Sequence, residues 1–276
     1  MSTDESFSLR FWGVRGSIAC PGPETAVFGG NTSCVEVLCG THRIILDAGS
    51  GIRSLGNSFA PAPVDADILL SHTHLDHIVG LPFFGPAYSE DSDLRLWAGH
   101  LGAGQSLEEV LGQMMTAPLF PVPMGVMGAR KTFRDFCAGD SFELSCGAQV
   151  RTCMLNHPNG ATAYRIEYGG GSICYVTDTE HVEGTYDENI LSLIDGTDVF
   201  IYDATYTDSE YPQHRGWGHS TWQEGAALAE RAEVGTYVPF HHDPSHDDQF
   251  MNTVERCAKD RFEKTVVARE GLILSV

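Results

Sequence analysis

The sequence predicts an α+β fold with two sheets packed face to face and helices outside. Short strand-like runs recur from residue 8 to residue 275, and amphipathic helical segments are interspersed, mostly late in each half. No repeat, charge block or low-complexity linker interrupts them, so residues 1–276 read as one domain.

The strand runs are short, apolar and rich in β-branched or aromatic residues. They lie at 8–13, 33–39 (SCVEVLC), 42–47 (HRIILD), 67–71 (DILLS) and 93–98, then at 148–155, 161–168, 172–177, 198–203, 235–240 and 272–275. YGGGS at 168–172 is a glycine turn that joins two of them into a hairpin. Helical patterns fall at 51–59, 187–195, 220–233 and 246–260. Ser220 or Thr221 is placed to cap WQEGAALAERA, and Ser245 to cap HDDQFMNTVERCAK. Residues 99–135 resist the pattern, with GHLGAGQ, a short helix candidate at 106–116, then APLFPVPMGVMGARK. A connection of that length is expected to be a lid or insertion, or a surface excursion packed by its own Met and Phe side chains.

Seventeen Lys and Arg stand against 37 Asp and Glu, a formal net charge of −20. Such a surface repels nucleic-acid backbones, whose binding needs clustered cations, so long nucleic acid is an unfavourable partner. A small anion drawn to a locally positive metal site remains compatible with it. The eight cysteines, at 20, 34, 39, 137, 146, 153, 174 and 257, form no C-x-x-C pair and read as reduced thiols. The N-terminus MSTDESFSLRFW has no secretory pattern, and no apolar stretch is long enough to span a bilayer, so the expected location is cytoplasmic, with no membrane partner and homodimerisation left open.

The chemistry concentrates in LLSHTHLDHIVGLP, residues 69–82, where His72, His74, Asp76 and His77 follow directly on a strand. Imidazoles and carboxylates crowded on one turn lose hydration unless something compensates them, and a metal is the usual compensation. His72 and His74 can chelate one ion while Asp76 and His77 reach a second. Further ligand types end other strands: His157 in CMLNHPNG, Asp178 in CYVTDTE and His241 in YVPFHHDPSHDD. Taken singly, each reads as a turn or cap residue; together they suggest a binuclear site at one sheet edge.

H-x-H-x-D-H followed by the spaced His, Asp and His resembles the metallo-β-lactamase superfamily over nearly the whole chain. The resemblance implies an αββα sandwich with two divalent ions, zinc first and manganese or iron as alternatives. It implies that His72, His74 and His157 hold one ion, that Asp76, His77 and His241 hold the other, and that Asp178 bridges them. His241 is preferred over the adjacent His242 because it directly ends its strand. Asp47, in LDAGSG, matches a position that supports a ligating imidazole. The stretch from DATYTD to YVPFHH resembles the ribonuclease Z-like phosphodiesterase branch, in which G-H-S-T supplies His219. The opening RFWGVRGS…GGNTS resembles a bacterial group of metal-dependent hydrolases. There Arg15 and Asn31 lie in glycine-rich loops that could approach an anion, although glycine turns explain those loops equally well.

The implied activity is metal-dependent hydrolysis of a small phosphodiester, such as a cyclic nucleotide or cyclic sugar phosphate. Asp76 would orient the attacking water and His219 would assist the leaving oxygen. The alternatives are a tRNA 3′-processing endonuclease, an ester, lactone or thioester hydrolase, and a non-catalytic metal-binding scaffold.

Overall fold

In the computed structural model, which describes residues 6–276, two sheets form the centre of the molecule. The first contains β1 (Phe7–Gly13), β2 (Cys34–Cys39), β3 (His42–Leu46), β4 (Asp65–Leu70), β5 (Asp93–Ala98), β6 (Arg130–Asp135) and β13 (Ile273–Ser275), in the order β13-β1-β2-β3-β4-β5-β6. The second contains β7 (Ser141–Glu143), β8 (Gln149–Leu155), β9 (Ala161–Tyr168), β10 (Gly171–Val176), β11 (Val199–Asp203) and β12 (Thr236–Phe240), in the order β12-β11-β10-β9-β8-β7.

Why two sheets stack with helices outside is visible in the side-chain alternation. On β3, Ile44 and Leu46 enter the core between the sheets, while Ile45 faces outward. On β10 and β11, Ile173, Tyr175, Val199 and Ile201 point inward, while Cys174, Val176, Phe200 and Tyr202 point outward. A strand apolar on both faces must be covered on both. The outer face of the first sheet is covered by α1 (Gly51–Phe59) and α3 (Leu107–Met114), through Ile52, Leu55, Leu107 and Leu111. That of the second is covered by α4 (Glu188–Ile194) and α5 (Trp222–Arg231), through Leu193, Ile194, Ala226 and Leu228. The expected αββα sandwich is the fold. The short α2 (Leu75–Ile78) carries the histidine cluster, and α6 (Asp248–Arg261) packs Met251 and Val254 on Phe28 and Val267. No helix among the described residues is long and apolar enough to cross a membrane.

Strand direction positions the site. β3, β4, β5 and β6 run parallel, as do β10, β11 and β12. β8 and β10 are both antiparallel to β9 and therefore share a direction. The residues that leave β3, β4, β8, β10, β11 and β12 gather where the carboxyl ends of the two sheets meet, the usual place for chemistry on parallel strands.

Two local expectations change and one alternative is resolved. The cap of α6 is Asp247, which accepts from the Phe250 N–H, while Ser245 instead donates to Asp243. Thr221, not Ser220, caps α5. Within 99–135, residues 130–135 are the edge strand β6, and α3 is pinned to that strand by the Leu107 N–H donating to Asp135 at 2.9 Å. Gly169 and Gly170 both take positive φ in the tight turn between Tyr168 and Gly171, as the glycine run predicts.

Candidate metal centre

Strain marks the site before any ligand is considered. Asp47, Asp178 and His241 each follow a strand end with φ of 60°, 58° and 62°. Side-chained residues seldom occupy this left-handed region, and such strain persists where the surroundings over-determine it.

The structure brings all seven expected ligands together as two groups of facing donor atoms. His72, His74 and His157 form one group; Asp76, His77, Asp178 and His241 form the other. Asp178 stands between them with its carboxylate divided. Its Oδ1 lies 3.8 Å from His72 Nε2 and 3.7 Å from His157 Nε2, whereas its Oδ2 lies 3.2 Å from His77 Nε2 and 3.4 Å from His241 Nε2. Asp76 Oδ2 completes the second group, 3.2 Å from His77 Nε2 and 3.3 Å from His241 Nε2. With metal–nitrogen bonds near 2.0–2.1 Å, donors around a tetrahedral zinc sit roughly 3.3 Å apart, so the second group has the spacing of a coordination shell.

The imidazoles are held by their far nitrogens. His77 Nδ1 donates to Asp47 Oδ2 at 2.7 Å, and His157 Nδ1 donates to the Gly218 carbonyl at 2.8 Å. His72 Nδ1 meets Ser71 Oγ at 3.1 Å, and His241 Nδ1 meets Thr205 Oγ1 at 3.0 Å. Each contact leaves Nε2 turned inward as the lone-pair nitrogen, the arrangement that orients metal-ligating histidines. His74 differs: its Nδ1 is 3.0 Å from His157 Nε2, and its Nε2 is 3.4 Å from Asn159 Nδ2. Among the described residues, the buried Nε2 atoms of His72 and His77 find no hydrogen-bond partner. Orphaned buried donor atoms of this type, converging on carboxylates, fit a divalent cation.

Electrostatics point the same way. Burial opposes charge on His77, but Asp178, Asp76 and Asp47 outweigh it and push its pKa well up. Burial likewise works against the Asp76 carboxylate, yet His77 and His241 hold its pKa below the usual range. The second group thus demands positive charge, which bound cations supply. His72, by contrast, is kept neutral by burial and by its neighbour His77, the state a ligand needs.

His219 stands beside both groups. Its ring stacks on His241 with centroids 4.9 Å apart, and its Nδ1 bonds Asp203 Oδ2 at 2.9 Å. Burial would lower its pKa, but the Asp203 carboxylate more than reverses this and raises it to about 9. Asp203 is absent from the expected set, although it carries the same signal as Asp178, an acid ending an apolar strand. Two further supports had no sequence signal. The Ser17 N–H donates to Asp76 Oδ2 at 2.8 Å, and Glu180 accepts from the N–H groups of Gly216 and Gly218, fixing the loop that presents His219.

His242 turns away from the centre, with Nε2 2.8 Å from the Ala268 carbonyl. Arg15 and Asn31 are both engaged within the fold. Arg15 is fully buried and donates to the carbonyls of Gly29, Asp243 and His246, while Asn31 Nδ2 donates to Glu270. The carbonyl-lined niche around the guanidinium forms only in the tertiary fold.

Residues 42–242 match the family model described as the β-lactamase superfamily domain. A ribonuclease Z from Bradyrhizobium sp. (strain ORS 278) is 27% identical over 265 residues, spanning 77% of this chain and 84% of the relative. The metallo-β-lactamase fold protein YhfI from Bacillus subtilis superposes with a TM-score of 0.72 at 16% identity, covering 99% of this chain and all of that one. A diphosphatase of the PhnP family superposes with a TM-score of 0.70 at 17% identity, covering 98% and 97% of the two chains. The chain belongs to the metallo-β-lactamase superfamily, a family of metal-dependent hydrolases, and a ribonuclease Z is among its relatives.

Proposed function

We propose that this protein is a binuclear metal-dependent phosphodiesterase acting on a small phosphodiester such as a cyclic nucleotide or cyclic sugar phosphate. The observation that carries this reading over generic hydrolysis is His219, tied through Nδ1 to Asp203 and placed against the two donor groups. His72, His74 and His157 would hold one ion, Asp76, His77 and His241 the other, and Asp178 both. Zinc suits these nitrogen and oxygen donors, with manganese and iron the alternatives. When bound, such ions polarise a phosphoryl oxygen and make water acidic enough to ionise near neutral pH.

The chain's own residues supply the rest. Asp76 Oδ2 accepts from the Ser17 N–H, which leaves its other oxygen to orient the attacking water. Asp203 fixes the His219 tautomer, so Nε2 is the nitrogen that gives a proton to the departing alkoxide. Bound dications would draw the pKa of His219 down from about 9, keeping it a competent acid rather than a permanent cation. The ribonuclease Z relative favours a second reading, the tRNA 3′-processing endonuclease weighed above, but the net charge of −20 opposes a grip on a long phosphate backbone.

The test is kcat/KM for wild type and His219→Ala on an alkyl phosphodiester and on bis(p-nitrophenyl) phosphate, beside a carboxylic ester and a precursor tRNA. His219→Ala should keep its metals and lose about 10²–10⁴-fold on the alkyl diester. The loss should shrink on the aryl diester, whose phenolate leaves without a proton. Equal losses on both would remove the proton-donor role, and preference for the ester or the tRNA would replace the reading.

A further inference from the structure

A cavity of about 320 Å³ opens directly off the His72–His74 side of the centre. Its walls come from the β4–α2 turn, the end of β5, the start of the 99–135 segment with α3, and the β8–β9 loop that follows His157. α3 is a fixed wall: Leu107 and Leu111 are buried in the outer core, which leaves Val110 and Gln113, one helical turn apart, on the cavity side. Across from them, Asn159 reaches His74, and His100 lines the space at 8% exposure. His100 Nε2 is engaged by Thr73 Oγ1 at 3.0 Å, but its buried Nδ1 has no partner among the described residues. That nitrogen is shielded from the cavity, so the polar groups that face a ligand are chiefly the side-chain amides of Gln105, Gln113 and Asn159.

The chemistry of the lining selects among occupants. The described residues around it offer amides, a hydroxyl and an imidazole, with no Lys or Arg to accept a second phosphate and no Phe, Tyr or Trp on which a base could stack. Hydrogen-bonding groups of both polarities without charge match a polyol. Resting on the phosphodiesterase reading, we propose that this cavity binds the uncharged sugar arm of the substrate while its phosphoryl group lies at the donor cluster. The α3 segment then sets specificity for that arm, and phosphodiesters bearing a sugar or other polyol are the preferred substrates over nucleoside or polynucleotide ones.

The experiment holds the leaving group constant and varies the arm. Metal-loaded protein is assayed on p-nitrophenyl phosphodiesters carrying a methyl group, glucose through its 6-oxygen, or thymidine through its 5′-oxygen. The glucose ester should exceed the methyl ester in kcat/KM by roughly tenfold or more, and the thymidine ester should not exceed the glucose ester. Val110→Trp, which fills the cavity, and Gln113→Leu, at an exposed position that tolerates change, should each collapse the glucose-to-methyl ratio. Calorimetry on metal-loaded His219→Ala, in which turnover of alkyl diesters is suppressed, reads binding alone: that protein should bind glucose 6-(methyl phosphate) more tightly than dimethyl phosphate, and adding Val110→Trp should erase the difference. If no diester is hydrolysed but this binding difference holds, the phosphodiesterase reading falls and the cavity assignment stands. A glucose-to-methyl ratio near one in wild type, a thymidine preference, equal affinity for the two binding probes, or equal losses on both esters in the variants would overturn the cavity assignment.

Discussion

Asp47→Asn is the most informative single change at the centre, because it removes a charge and leaves the shape. Asp47 is fully buried at φ 60°, a conformation that asparagine tolerates, so the backbone need not move. Its Oδ1 accepts from the Ser71 N–H at 2.7 Å, and its Oδ2 accepts from Tyr175 Oη–H and His77 Nδ1–H, both at 2.7 Å. An asparagine has one acceptor oxygen for these two sides. If its amide nitrogen faces Ser71, two N–H groups oppose each other. If it faces His77, the imidazole keeps its hydrogen bond only by moving its proton to Nε2, the atom that points at Asp76 and Asp178. The first arrangement strains the Ser71 turn that holds His72, and the second costs His77 its inward lone pair. Loss of such a supporting carboxylate weakens metal affinity by about 10–100-fold. That corresponds to roughly 1.4–2.8 kcal/mol at the affected site. Competition against a chelator of known affinity measures it directly, with circular dichroism of the metal-free variant as the folding control. Unchanged affinity for both ions in a folded Asp47→Asn protein would refute the argument that this carboxylate sets the His77 tautomer.

Four other substitutions follow from the same geometry. A Cβ on Gly16 would clash with the Cε1–Nδ1 edge of the His241 ring, and one on Gly218, which also needs φ 85°, would clash with His157 Nδ1. Elemental analysis should therefore show lowered metal in Gly16→Ala and Gly218→Ala, in folded proteins that differ in which donor group is disturbed. The adjacent histidines should separate cleanly. His241→Ala should lose metal and activity, while His242→Ala should keep its metal and lose stability by about 1–3 kcal/mol, seen as a lower denaturation midpoint.

The strands that carry the site were legible because they are buried on both faces and read as continuous apolar runs. VFIYD and GSICYV needed no partner to be recognised; Asp178, just past the second, stood out against it, while Asp203, ending the first, carries the same signal and was passed over. β6, RKTFRD, was not legible: it is a half-exposed edge strand whose charged residues show no burial pattern, and its pairing with β5 exists only in the fold. The three-residue β7 is too short to register as a pattern. Within the site, residues that offer metal-ligand chemistry announced themselves by type and position. Those that act through a backbone N–H, such as Ser17, or by anchoring a remote loop, such as Glu180, have no compositional signature, because their partners lie 59 and 36 residues away. Arg15 shows the opposite failure, since a charge in a glycine-rich loop suggests an anion but the fold buries it against carbonyls.

Asp178 is placed to serve two ions at once, with one oxygen toward each set of imidazoles. Counting metal per chain in wild type and Asp178→Ala, after titration with zinc and removal of the excess, tests this most directly. Wild type should hold close to two ions, and Asp178→Ala should lose affinity at both sites together, retaining clearly fewer than one tightly held ion. A wild-type protein that takes up no more than one ion, or an Asp178→Ala protein that still holds one site at wild-type affinity, would contradict the bridging arrangement.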